Sequence, residues 1–170
     1  EMRSSHSRVC EIDAFALHFV HYPVKNEPYF NCSDSFLNKL YDVCMHTLKI
    51  CRRDLHLDSP THQEPLACTG DYYIQALMEY LNIYDPTLTR FDIFRTSQIF
   101  EVQKGRMFHT TYSLIFAEWV YDYYMFTADR SVLFESERAL RLLLERFDSY
   151  VGENGLLEKA PDYMFVDWIL

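Results

Sequence analysis

The run Asp58-Ser59-Pro60-Thr61-His62-Gln63-Glu64-Pro65-Leu66-Ala67-Cys68-Thr69-Gly70-Asp71 sets three carboxylates around two prolines and a glycine, between two stretches of helical periodicity. Pro60 and Pro65 interrupt any helix, and Gly70 supplies a flexible joint just before the next amphipathic run. Such a loop aims side chains rather than packing them. Carboxylates held this way suit glycoside hydrolysis, in which one group protonates the departing oxygen and others hold sugar hydroxyls or stabilise an oxocarbenium-like transition state. Glu64 is the acid candidate, because Leu66 and Ala67 give it an apolar flank whose burial would raise its pKa. A plainer reading stands beside this one: an Asp just after a Gly caps helices, and an Asp before Ser-Pro makes turns.

Outward from the loop, the pattern is mostly helical. Ser33 or Asp34 can cap a helix with Phe36, Leu37, Leu40, Tyr41, Cys44 and Leu48 on one face, ending before Asp58. Residues 70–84 carry Tyr73, Leu77, Tyr80, Leu81 and Tyr84 at helical spacing, and Asp85-Pro86 opens a further helix towards Gln103, stopped by Lys104-Gly105. Thr110 or Thr111 begins the next, closing near Thr127-Ala128-Asp129, and Ser131 starts a last long one through Phe147 and Val151. Gly152-Glu153-Asn154-Gly155 is the clearest turn. Short connections favour antiparallel neighbours, so helical hairpins follow from the pattern. Residues 8–23 instead alternate in places and lack helix caps, which predicts one or two strands.

With 170 residues, 49% of them hydrophobic and 16% aromatic, the chain can bury a sizeable core. A net charge of −9 argues against nucleic acid, and Arg52-Arg53 is too short a basic run to form a patch. No apolar stretch has the length needed to cross a bilayer. The five cysteines, Cys10, Cys32, Cys44, Cys51 and Cys68, form no CxxC pair and read as free thiols, with Cys44 and Cys51 as small core residues of one helix. Neither zinc spacing nor an EF-hand loop occurs, and no cofactor is called for. His62 stands in the loop, where it can bond a sugar or orient a carboxylate, and His109 precedes a helix start and reads as part of that cap. No Ser or Cys has an identifiable adjacent base, so a nucleophilic hydrolase is unsupported. Most of the aromatic residues, Tyr72-Tyr73 and Trp119 among them, read as core.

Together with Phe30 to Asp34, Leu37-Asn38, Tyr123-Tyr124, Thr127-Ala128-Asp129 and Asp167-Trp168, the loop resembles the bacterial α-L-rhamnosidases, whose catalytic domain is a six-hairpin (α/α)6 barrel. Their loop reads Asp-Cys-Pro-Gln-Arg-Asp-Glu-Arg-Leu-Gly-Trp-Thr-Gly-Asp, and Asp58, Pro60, Glu64, Leu66, Thr69, Gly70 and Asp71 fall on matching positions without a gap. The resemblance implies Glu64 as general acid, with Asp58, Asp71, Asp167 and Trp168 contacting a rhamnose-containing carbohydrate; His62 is a further candidate contact from its place in the loop alone. The resemblance further implies inversion, with a water-activating base roughly 6.5–9.5 Å from the acid, supplied in the family from beyond Leu170. Residues 1–30 would end a preceding β-domain and 31–170 would form the first part of the barrel domain. Both ends of the chain look cut, so we expect a fragment that is inactive alone and exposes apolar faces.

The chain also departs from the family, with Thr61-His62-Gln63 in place of Gln-Arg-Asp among the differences. Ser59 replaces the Cys, Pro65 an Arg, and Cys68 the Trp that walls the sugar pocket, while Ala128 replaces the Gly of a Thr-Gly-Asp turn, a minor change unless φ is positive there. They leave two alternatives open: a carbohydrate-binding relative without catalysis, or a six-hairpin glycosidase acting on another sugar. A purely structural helical module that docks a partner is the rival outside carbohydrate chemistry.

Overall fold

The computed structural model describes residues 13–60, 68–158 and 160–163. The described residues are mainly helical, with five helices: α1 (Ser35–Ile50), α2 (Thr69–Asn82), α3 (Thr87–Val102), α4 (Thr110–Thr127) and α5 (Ser131–Asp148). Connections 83–86, 103–109 and 128–130 fold each of the last three back on its predecessor. α2 packs on α4 and α3 on α5, while α4 also touches α3 and α5. Alternate helices therefore lie side by side, as successive hairpins require.

Local chemistry sets most boundaries. The Asp34 carboxylate caps α1 by accepting from the backbone N–H of Phe36 at 2.8 Å and Leu37 at 3.3 Å. After α3 the chain turns left-handed at Lys104 (φ 53°) and Gly105 (φ 76°), and the Gly105 amide returns to the Phe100 carbonyl at 2.8 Å. A Cβ on Gly105 would stand 2.4 Å from the Leu142 carbonyl oxygen, so this turn needs glycine for space as well as for φ. The Gly152–Gly155 turn closes with the Gly152 amide on the Leu156 carbonyl and an isolated bridge between Val151 and Leu157.

The main core lies between α2, α3, α4 and α5. α4 is apolar nearly all round and holds the centre, with Phe116 and Trp119 fully buried and Tyr72 meeting Trp119 edge to face at 6.4 Å. Small buried side chains let α3 and α5 approach: Ser97 and Ser136 share a hydroxyl hydrogen bond of 3.1 Å, and Ala139 lies on the same seam. At their N-terminal ends, Arg90 of α3 binds Asp129 at 3.2 Å and Glu135 at 2.6 Å.

Three expectations are corrected. No strand forms among the described residues: 13–23 run without regular structure, since a strand needs a partner for its ladder and Tyr22 N–H alone donates there, to the Arg52 carbonyl at 2.7 Å. α1 ends at Ile50, before Asp58 as expected; on its apolar face Phe36 is 69% and Leu40 47% exposed, whereas Leu48 is buried. α1 is held by a small separate cluster of Met45 and Leu48 against Ile83. Cys44, expected in the core, is exposed while Cys51 is buried; both are free thiols, as are Cys32 and Cys68, and Cys10 lies outside the described residues. Ala128, finally, is left-handed at φ 57°, a conformation that costs an L-residue roughly 1–2 kcal/mol, so its replacement of a turn glycine is not minor.

Candidate active site

Asp58 and Asp71 line one cavity of about 660 Å³, open between α1, the 51–60 segment, α2 and α4. α1 contributes Val43, Cys44 and Thr47, α2 contributes Gln75 and Met78, and α4 contributes Tyr112, Ile115 and Glu118. The two ends of the proline-bounded loop thus come to the same opening. Glu64 and His62 lie outside the described residues, as do Asp167 and Trp168.

Each wall has a local cause. α2 begins at Thr69, with Cys68 at the N-cap making no side-chain capping bond, so Asp71 stands inside the first turn rather than at the cap. Its negative charge is favoured there by the exposed N–H groups and the helix dipole. Gly70 is part of α2 and serves close packing, not flexibility: a Cβ there would stand 2.7 Å from the Tyr112 ring. The Thr69 hydroxyl donates to the Tyr112 carbonyl at 2.5 Å, which ties the loop's end to α4. Cys68, at the position of the family's tryptophan, is 1% exposed and belongs to the main core. It therefore offers no aromatic face to the cavity.

The cavity is acidic and hydroxyl-bearing. Tyr73 donates its phenol to Asp122 at 2.7 Å, and burial, that bond and the charges of Asp122 and Glu118 push its pKa upward, so it stays a neutral donor. Burial pushes the Cys51 thiol up, the Asp58 charge adds to this and Arg53 opposes it; the group is a thiol, not a thiolate nucleophile. Glu118 escaped the sequence reading. Its signal is the spacing Ile115-Glu118-Asp122, which places it on the face of α4 next to α2.

A second group the sequence did not single out joins the segment just before Asp58 to α2 and α3. Arg52, His56, Glu79 and Asp92 are all buried to within 1% of complete exclusion from solvent. The His56 ring bonds Asp92 through Nδ1 at 2.7 Å and Glu79 through Nε2 at 2.9 Å, while Arg52 Nε pairs with the same Glu79 oxygen. The His56 backbone N–H also donates to Asp92, at 3.0 Å, and the Thr89 hydroxyl donates to Glu79 at 3.1 Å. Burial alone would lower the His56 pKa, but the bonds to Asp92 and Glu79 outweigh it and raise the value to about 9. The imidazolium and the guanidinium thus offset two carboxylates. Both ring nitrogens carry protons directed at oxygen, leaving no lone pair for a metal, and among the described residues no cluster of such side chains is arranged to hold one. The legible signal was position: Glu79 falls on the buried stripe of Ala76 and Tyr80, and Asp92 on that of Leu88 and Ile93. His109, by contrast, stands at the N-cap of α4 as expected, buried and without a side-chain capping bond.

Among the described residues no helix is long and apolar enough to cross a membrane. Residues 25–97 match the family model described as the bacterial alpha-L-rhamnosidase 6 hairpin glycosidase domain. No curated protein and no solved structure matches the chain significantly. The matched stretch holds α1, α2, most of α3, both cavity aspartates and the whole ionic cluster. Over residues 25–97, then, the chain is similar to the bacterial alpha-L-rhamnosidase six-hairpin glycosidase domain, a glycosidase-related domain.

Proposed function

We propose that residues from 31 onward belong to the (α/α)6 catalytic domain of a glycosidase that removes terminal α-L-rhamnose with inversion. Glu64 acts as general acid, Asp58 and Asp71 bind sugar hydroxyls at the cavity, and His62, Asp167 and Trp168 complete the contacts. The observation that supports this reading is that Asp58 and Asp71, which flank Glu64 in the sequence, line the same cavity. Vicinal hydroxyls suit such paired acceptors, since each carboxylate accepts charge-assisted hydrogen bonds of about twice the ordinary strength. The water-activating carboxylate, roughly 6.5–9.5 Å from the acid in inverting enzymes, is assigned to a residue beyond Leu170.

The test is release of the aryl alcohol from an aryl α-L-rhamnoside by the full-length protein and by its Glu64→Gln variant. Turnover that falls by about two or more orders of magnitude in the folded variant supports Glu64 as the acid. A folded wild-type protein without turnover refutes the assignment of rhamnose hydrolysis.

A further inference from the structure

The segment between α1 and Asp58 is a closed turn anchored at both ends. The Leu57 amide donates to the Cys51 carbonyl at 2.8 Å, Gln75 Nε2 donates to the Leu57 carbonyl at 2.7 Å, and an isolated bridge joins Arg52 to His56. Inside this turn one carboxylate oxygen, Asp92 Oδ2, accepts from both the backbone N–H and the ring of His56. That double contact locks the residue's backbone and side chain together. Apolar residues of equal volume would serve stability equally well or better, because buried ion pairs seldom exceed their own desolvation cost. Directional bonds do something apolar packing cannot: they fix the orientation of the chain two residues before Asp58.

We propose that His56 is a positioning residue, its ring and amide tied to Asp92 and Glu79 so that the following chain holds the Asp58 carboxylate at the cavity. The proposal rests on Asp58 being a ligand of sugar hydroxyls. Four groups face the imidazole: Glu79 and the Tyr72 ring from α2, the latter with centroids 6.0 Å apart, Asp92 from α3, and Arg52 through its shared oxygen on Glu79. Removing the imidazole leaves Asp92 Oδ2 only the backbone N–H of residue 56 and breaks the link from that residue to Glu79, so the turn is held less firmly to α2 and α3.

Two measurements on the full-length His56→Gln variant decide this. Hydrogen exchange should be about 10- to 100-fold faster at the amides of 56–58, the range set by losing a hydrogen bond to a charged group, with α4 and α5 unchanged. On an aryl α-L-rhamnoside KM should rise about 10- to 100-fold with a much smaller change in kcat, since a misplaced hydroxyl ligand weakens ground and transition states together. Wild-type exchange at 56–58, or an unchanged KM in the folded variant, overturns the proposal. If His56→Gln does not fold, Asp92→Asn, which keeps the shape and one acceptor oxygen, is measured against the same criteria. A wild-type protein without turnover overturns the proposed function instead, and exchange at 56–58 then decides whether His56 fixes the turn.

Discussion

Alkaline pH should destabilise this protein through His56 before any other described group contributes. In the folded chain its pKa is raised from 6.5 to about 9, with the bonds to Asp92 and Glu79 overcoming the effect of burial. Below pH 6.5 folded and unfolded chains are both protonated, and the stabilisation is fully present. Between 6.5 and about 9 the unfolded chain has released the proton while the folded chain retains it, so stability falls by ~1.36 kcal/mol for each pH unit. Across that window the loss is about 3 kcal/mol, a large share of the ~5–15 kcal/mol that holds a domain together. The Cys51 thiol, also pushed up, starts from an ordinary value of 9.0, so its contribution falls outside the window. Urea unfolding followed by tryptophan fluorescence at several pH values between 6.5 and 9 measures the slope. The midpoint should slide steadily downward in the wild type and stay level in His56→Gln, which starts less stable. A wild-type midpoint that is flat, or that rises with pH, would refute the paired imidazolium.

Other consequences are local. Ala128→Gly relieves the left-handed strain at the end of α4 and should stabilise by roughly 0.5–1 kcal/mol, the ~1–2 kcal/mol of strain less the entropy of a glycine in the unfolded chain; thermal unfolding checks the sign. Gly105→Ala combines φ 76° with a backbone collision and should cost about 2 kcal/mol or more, visible as a lower urea midpoint. Leu143→Ala empties a fully buried position where α5 meets the main core and should cost about 2–5 kcal/mol by the same measurement.

Features written in neighbouring residues were legible in the sequence. The Asp34 cap, the Lys104-Gly105 stop, the start of α4 at Thr110 and the Gly152–Gly155 turn all depend on side chains within a few positions of the backbone they serve. The two described aspartates of the loop, Asp58 and Asp71, share a cavity. The end of α1 was not legible. Residues 51–57 contain neither Gly nor Pro, and the helix stops at Ile50 because the chain turns there to bring Arg52 and His56 to Glu79 and Asp92, partners on two later helices. The spacing of α1 likewise specifies an apolar stripe, but a stripe says nothing about which neighbour covers it. Gly70 looked like a hinge because its packing partner, Tyr112, lies on α4.

The unequal anchoring of the cavity's walls has a thermodynamic consequence. α2 and α4 are set in the main core, whereas α1 is fastened by Met45, Leu48 and Ile83 together with a hydrogen bond of 3.0 Å from Tyr41 to Asn82. An element with so few buried contacts forms its own low-energy opening unit, detaching at a free energy well below that of global unfolding. Any ligand that bridges α1 to α2 across the cavity must then spend part of its binding free energy on keeping α1 docked. Occupancy of the cavity and protection of the α1 amides are two readings of one equilibrium.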